Sequence, residues 1–115
     1  METSLSEVLG EILAFRDARD WGQFHTPKNL AVSVSLEAAE LLEVFQWLGG
    51  AEPISEEKRA RAPDEMADVL IYLLLLGNAF EVDLLSSVRA KLLKNEFKYP
   101  VSKARGSAKK YDELR

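Results

Sequence analysis

The chain is predicted to be all-α, a four-helix bundle, and three observations carry that prediction. Apolar residues recur at helical spacing along most of its length. Side chains that cap helices stand where those stretches begin. No stretch keeps the strict alternation of a half-buried strand, and the apolar run Val69 to Leu76 is flanked by helix formers without a turn signal until Gly77.

Ser4 with Glu7 three residues later reads as a capping box, and Leu5, Val8, Leu9, Ile12 and Leu13 continue a helix to about Arg19. Asp20 to Thr26 reads as a loop. Thr26 as cap and Pro27 in the first turn start a second helix that should stop near Leu48, before Gly49 and Gly50. Ser55 to Ala62 can form a brief helical turn, which Pro63 is expected to interrupt or restart, so the third helix is placed at about Pro63 to Phe80. Asp83 caps a fourth helix that ends at Tyr99, because Pro100 disfavours helical geometry before it. These four helices give a domain over residues 1–100, and a basic tail occupies 101–115.

The third helix is apolar nearly all round, which requires cover on every side. Three partner helices of this size are too few, so a homo-oligomer is expected.

Composition excludes several classes. The 115 residues are 47% hydrophobic and 30% charged, the balance of a globular chain. Fifteen Lys and Arg against 19 Asp and Glu leave a net charge of −4, which argues against a surface built for nucleic acid. The longest apolar run is far short of the roughly 18 residues of a membrane span. The first residues lack a secretory pattern. Without cysteine there is no disulfide or thiolate site, and a reducing cytoplasm is the expected location.

Charge is unevenly placed. Residues 1–83 hold 6 basic and 16 acidic side chains, whereas residues 84–110 hold 8 basic and 1 acidic. Complementary surfaces explain such a split; so does a site that gathers cations and phosphates.

The acids decide between these. On the second helix Glu37 and Glu40 fall within about 60° of the apolar stripe made by Leu30, Val34, Leu41, Val44 and Leu48. On the third, Glu65 and Asp68 share a face with Val69, Tyr72 and Leu76 in the same way. A buried unpaired carboxylate costs several kcal/mol, and four together repel unless a cation sits among them. The apolar segments Leu30 to Leu48 and Met66 to Phe80 contain no Lys or Arg, so a hard divalent metal, Mg²⁺ or Mn²⁺, is the expected partner. Ferritin-like di-iron chemistry needs a Glu-x-x-His on each of two helices, and the only histidine is His25. Metal-assisted phosphoryl-bond hydrolysis remains.

Lys91, Asn95 and Lys98 follow at i, i+4 and i+7 on the fourth helix, a polar and basic stripe that leads to the tail with Lys110 and Tyr111. Trp47 and Tyr72 flank the acids on their own helices, where a flat base could stack.

The pattern E-x-x-E at Glu37 and Glu40, then E-x-x-D at Glu65 and Asp68 with 24 residues between, resembles the metal motif of the all-α nucleoside triphosphate pyrophosphatases, the MazG-like superfamily. The stretches RDWGQFHTPKNL, FQW, DVLIYLL, KYP and RGSAKKYDEL are similar to its dCTP pyrophosphatase branch. The resemblance implies Mg²⁺-dependent hydrolysis of a deoxynucleoside triphosphate, dCTP or a modified dCTP, to the monophosphate and pyrophosphate. It implies metal ligands at Glu37, Glu40, Glu65 and Asp68, with Glu37 or Glu40 also activating the water. It places Trp21, His25, Trp47 and Tyr72 at the base, and Lys91, Asn95, Lys98, Lys110 and Tyr111 at the phosphates. Where some dCTP-hydrolysing relatives offer a histidine from the first helix, this chain is apolar around Ile12, which weakens base discrimination. The competing expectation is a non-catalytic helical module that docks a basic partner and oligomerises through its third helix.

Overall fold

The computed structural model describes residues 4–114. The chain forms two compact units, one up to Glu81 and one from Val82 onward. Among the described residues there is no strand, as the sequence predicts.

The first unit holds α1 (Leu5–Ala18), a short 3-10 turn (Gly22–Phe24), α2 (Pro27–Phe45) and α3 (Glu56–Ala79). The cap residues act as expected. Ser4 Oγ accepts from the Glu7 amide at 3.1 Å, and Thr26 Oγ1 accepts from the Asn29 amide at 3.2 Å. α2 ends three residues earlier than the glycine signal implies, because the Leu48 amide bonds back to the Phe45 carbonyl, an i→i+3 turn that tightens the chain out of the α-helix.

Pro63 does not break α3, contrary to expectation. Ser55 caps the helix, with its hydroxyl accepting from the Lys58 amide at 3.3 Å, and α3 then runs unbroken through Pro63. The missing Pro63 N–H removes the partner of the Arg59 carbonyl. Both residues are exposed, so water can serve that carbonyl and the helix continues.

Within this unit α3 packs on both α2 and α1. Leu30 and Val44, 1% and 0% exposed, lie four turns apart on one stripe of α2, while Ala62, Leu74 and Leu75 of α3 are buried. Full burial of side chains such as Leu30 and Val44 stabilises by about 1.5–3 kcal/mol each. Leu30→Ala would cost about 2–5 kcal/mol, cavity included. Met66, Leu70 and Leu73 form another stripe of α3 and are 51%, 46% and 38% exposed.

The second unit holds α4 (Leu84–Lys98), α5 (Val101–Ala104) and a 3-10 turn (Tyr111–Glu113). Asp83 caps α4 by accepting from the Ser86 amide at 3.2 Å. The tail turns back onto the end of α4. Tyr111 packs edge-on against Tyr99 with ring centroids 6.3 Å apart, and Lys98 Nζ lies 4.9 Å from the Tyr111 ring centre.

Candidate metal centre

Glu37 lies two turns from Leu30 and two turns from Val44, so the burial of those two side chains turns it toward the packed face of α2. On α3, Glu65 is one turn beyond buried Ala62, and Asp68 follows it by three residues. Oxygens of Glu37, Glu65 and Asp68 come within 4.8 Å of one another. Glu37 Oε2 and Glu65 Oε2 are buried without a hydrogen-bond partner.

Such orphaned oxygens are costly in a folded protein. Three converging carboxylates also repel, and the effect appears at Glu37. Burial raises its proton affinity above the ordinary glutamate value, and hydrogen bonding with the Glu40 carboxyl and the charges of Glu40, Asp68 and Glu65 raise it further. A cation among the three would satisfy the orphaned oxygens and reverse the repulsion. An oxygen-only donor set suits a hard divalent ion. Glu40 itself is exposed and stands beside Glu37, outside the converging three.

One cation is already present, which the sequence reading missed. Arg61 Nε donates to Glu65 Oε1 at 3.3 Å, and Arg61 Nη2 lies 3.5 Å from Glu43 Oε2 on α2. The expectation that the acids have no basic neighbour is therefore corrected at Glu65. Its cause is Pro63: with α3 assumed to begin there, Arg61 fell on a separate turn, whereas in the continuous helix it stands one turn before Glu65. The i, i+4 spacing was the available signal.

The aromatic candidates are placed differently from one another. Tyr72 is half-buried one turn beyond Asp68. Trp47 is 82% exposed just past the end of α2. Trp21 packs edge-on against Phe15 of α1, with centroids 5.8 Å apart, and the Arg19 guanidinium lies 3.6 Å over the Phe15 ring. His25 is half-buried with its Nδ1 unpartnered; burial, then the Arg16 charge, lowers its proton affinity, favouring the neutral ring.

In the second unit Lys91 and Lys98 are exposed and Asn95 half-buried on α4. The return of the tail joins Lys98 with Tyr111, while Lys110 stands exposed at the start of the last 3-10 turn. A single helix long and apolar enough to cross a membrane is absent among the described residues.

Facing helices that bring Glu37, Glu65 and Asp68 together, with no strand among the described residues, define an all-α protein with an interhelical carboxylate centre. The chain belongs to the MazG-like family, whose model matches residues 32–114. It is 41% identical over 117 residues to dCTP pyrophosphatase 1 of Rattus norvegicus and 40% identical to that of Homo sapiens, in both cases covering 98% of this chain and 69% of the relative. It is also similar to the crystal structure of a pyrophosphatase from Archaeoglobus fulgidus, with a TM-score of 0.80 and 45% identity over 87% of this chain and 95% of that one.

Proposed function

We propose that this protein is a Mg²⁺-dependent nucleoside triphosphate pyrophosphatase that converts dCTP, or a modified dCTP, to the monophosphate and pyrophosphate. The observation that carries this reading is the cluster of Glu37, Glu65 and Asp68 with its two orphaned buried oxygens, in a chain about 40% identical to enzymes named dCTP pyrophosphatase.

Glu37, Glu65 and Asp68 hold the metal, and Glu40 completes the set from the edge. When bound, Mg²⁺ supplies a Lewis acid that polarises phosphoryl oxygens and lowers the pKa of water. The protein's own groups do the rest. Glu37, whose proton affinity is already raised, or Glu40 beside it, orients the attacking water and takes its proton. Water then replaces the pyrophosphate leaving group, and the bond between the α- and β-phosphoryl groups breaks. Lys91, Asn95 and Lys98, with Lys110 and Tyr111, neutralise the phosphate chain. Trp21, His25, Trp47 and Tyr72 hold the base.

The protein works as a homodimer or homotetramer in this reading, supported by the exposed apolar stripe Met66, Leu70 and Leu73 on α3. A panel of nucleoside triphosphates tests the activity. With Mg²⁺, dCTP or 5-substituted dCTP should release pyrophosphate and monophosphate fastest, and EDTA should abolish the release. No pyrophosphate from any triphosphate would leave a non-catalytic helical module as the better account.

A further inference from the structure

Arg61 is the one guanidinium that reaches the carboxylate cluster among the described residues, and it does so asymmetrically. Its Nε donates to Oε1 of Glu65, while Oε2 of the same carboxylate is buried and unpartnered. An exposed i, i+4 pair ordinarily contributes little and wanders. This one differs at both ends. The Glu65 side chain is only 14% exposed, and Arg61 is held a second time, by Glu43 across on α2. A planar fork fixed by two carboxylates on two helices has fewer alternative positions than a free side chain.

We propose that Arg61 is a positioning residue of the metal centre: by donating to Oε1 of Glu65 it leaves the unpartnered Oε2 as the better metal ligand, and so favours a small cation that takes carboxylates one oxygen at a time. This rests on the metal reading of the cluster. Mg²⁺ demands near-octahedral geometry at short distance, whereas Ca²⁺ accepts 6–8 oxygens and readily takes carboxylates through both. The Arg61 Nε–H bond to Oε1 competes with a metal for that oxygen and disfavours the two-oxygen mode at Glu65. Removing it frees that mode and unfixes the carboxylate. Outer partners of metal ligands commonly change affinity by about 10–100-fold.

The test is direct metal binding rather than turnover. Mn²⁺ affinity is measured by electron paramagnetic resonance on the full chain, and Mg²⁺ and Ca²⁺ by competition against it, for wild type, Arg61→Ala, Arg61→Lys and Glu43→Gln. Arg61→Ala should weaken Mg²⁺ about tenfold and shrink the Mg²⁺ over Ca²⁺ preference by at least as much. Arg61→Lys, which keeps the charge without the fork, should fall between. Glu43→Gln, which loosens the second tie but keeps the Glu65 contact, should shrink the preference by less than Arg61→Ala. Wild-type constants in Arg61→Ala overturn the inference, as does an equal loss in Glu43→Gln, which would assign the effect to the tie between helices. A wild-type protein that binds no Mn²⁺ overturns the metal reading itself, and with it this role. Circular dichroism of each variant separates loss of fold from loss of ligand geometry.

Discussion

Glu37 on α2 and Glu65 on α3 bring carboxylate oxygens to within 4.8 Å of each other, and each keeps one buried oxygen without a hydrogen-bond partner. Like charge on these two side chains opposes the packing of α2 on α3. Function and stability pull against each other here.

Glu37→Gln exposes that conflict. The folded-state proton affinity of Glu37 is raised by burial first and by its acidic neighbours second. Its contribution to stability is therefore fully present below the unfolded glutamate pKa and is lost as pH rises through the higher folded value. In EDTA, the wild-type melting temperature should fall across that window, which lies above the ordinary glutamate value. Glu37→Gln should flatten the fall, since an amide does not titrate. In Mg²⁺ the order should invert: wild type gains stability and the variant does not. Pyrophosphate release should drop by about 10²-fold or more. Thermal melts against pH, with and without the metal, check the first part.

The α3 stripe makes a second prediction. Leu70 is 46% exposed between Met66 and Leu73 on the same stripe. If a second copy covers its exposed half, Leu70→Glu loses about half of the 1.5–3 kcal/mol of a fully buried leucine per copy and sets a carboxylate in the interface. The dissociation constant should rise at least roughly hundredfold. Light scattering should then report monomer for the variant and dimer or tetramer for wild type, with helicity retained. An unchanged mass would place the interface elsewhere.

Local chemistry was legible in the sequence because each cap acts within three residues of itself. Ser4, Thr26 and Asp83 start helices where their side chains alone indicate. The face shared by Glu37 with Leu30 and Val44 was equally legible, since helical period fixes it before any packing is known. What escaped depends on competition between rules or on distant partners. Proline usually ends a helix, which would put Arg61 on a separate turn, and only the continuous α3 brings it to Glu65. The edge-on contact of Tyr111 with Tyr99 needs the tail to turn back, which no periodicity records.

Asp83 is expected to shape the acid limb of stability for α4. Bonding to the Ser86 amide first, and to its hydroxyl second, holds this carboxyl below the ordinary aspartate value. A lowered folded pKa means that the stabilisation is present above the unfolded pKa and disappears as pH falls through the folded one. Asp83→Asn keeps an acceptor for the amide but no longer titrates. Acid titration of helicity by circular dichroism should show a loss in wild type, below the ordinary aspartate range, that is smaller in Asp83→Asn. Coincident curves would show that the cap does not govern this limb.

Pro63 offers the sharpest check on α3. It sits in the eighth position of the helix, where a missing N–H and the ring's contact with the Arg59 carbonyl cost about 3 kcal/mol relative to alanine. Proline returns part of this by restricting the unfolded chain, about 0.4–1 kcal/mol. Pro63→Ala should therefore raise stability by about 2 kcal/mol, read as a higher urea midpoint at unchanged slope. Because α3 is continuous already, the substitution leaves Arg61 one turn before Glu65. Metal affinity should stay within about twofold of wild type. A lower midpoint would mean that the local backbone near Arg59 is adapted to proline. A large change in Mn²⁺ binding would mean that the alignment of Arg61 with Glu65 depends on that adaptation.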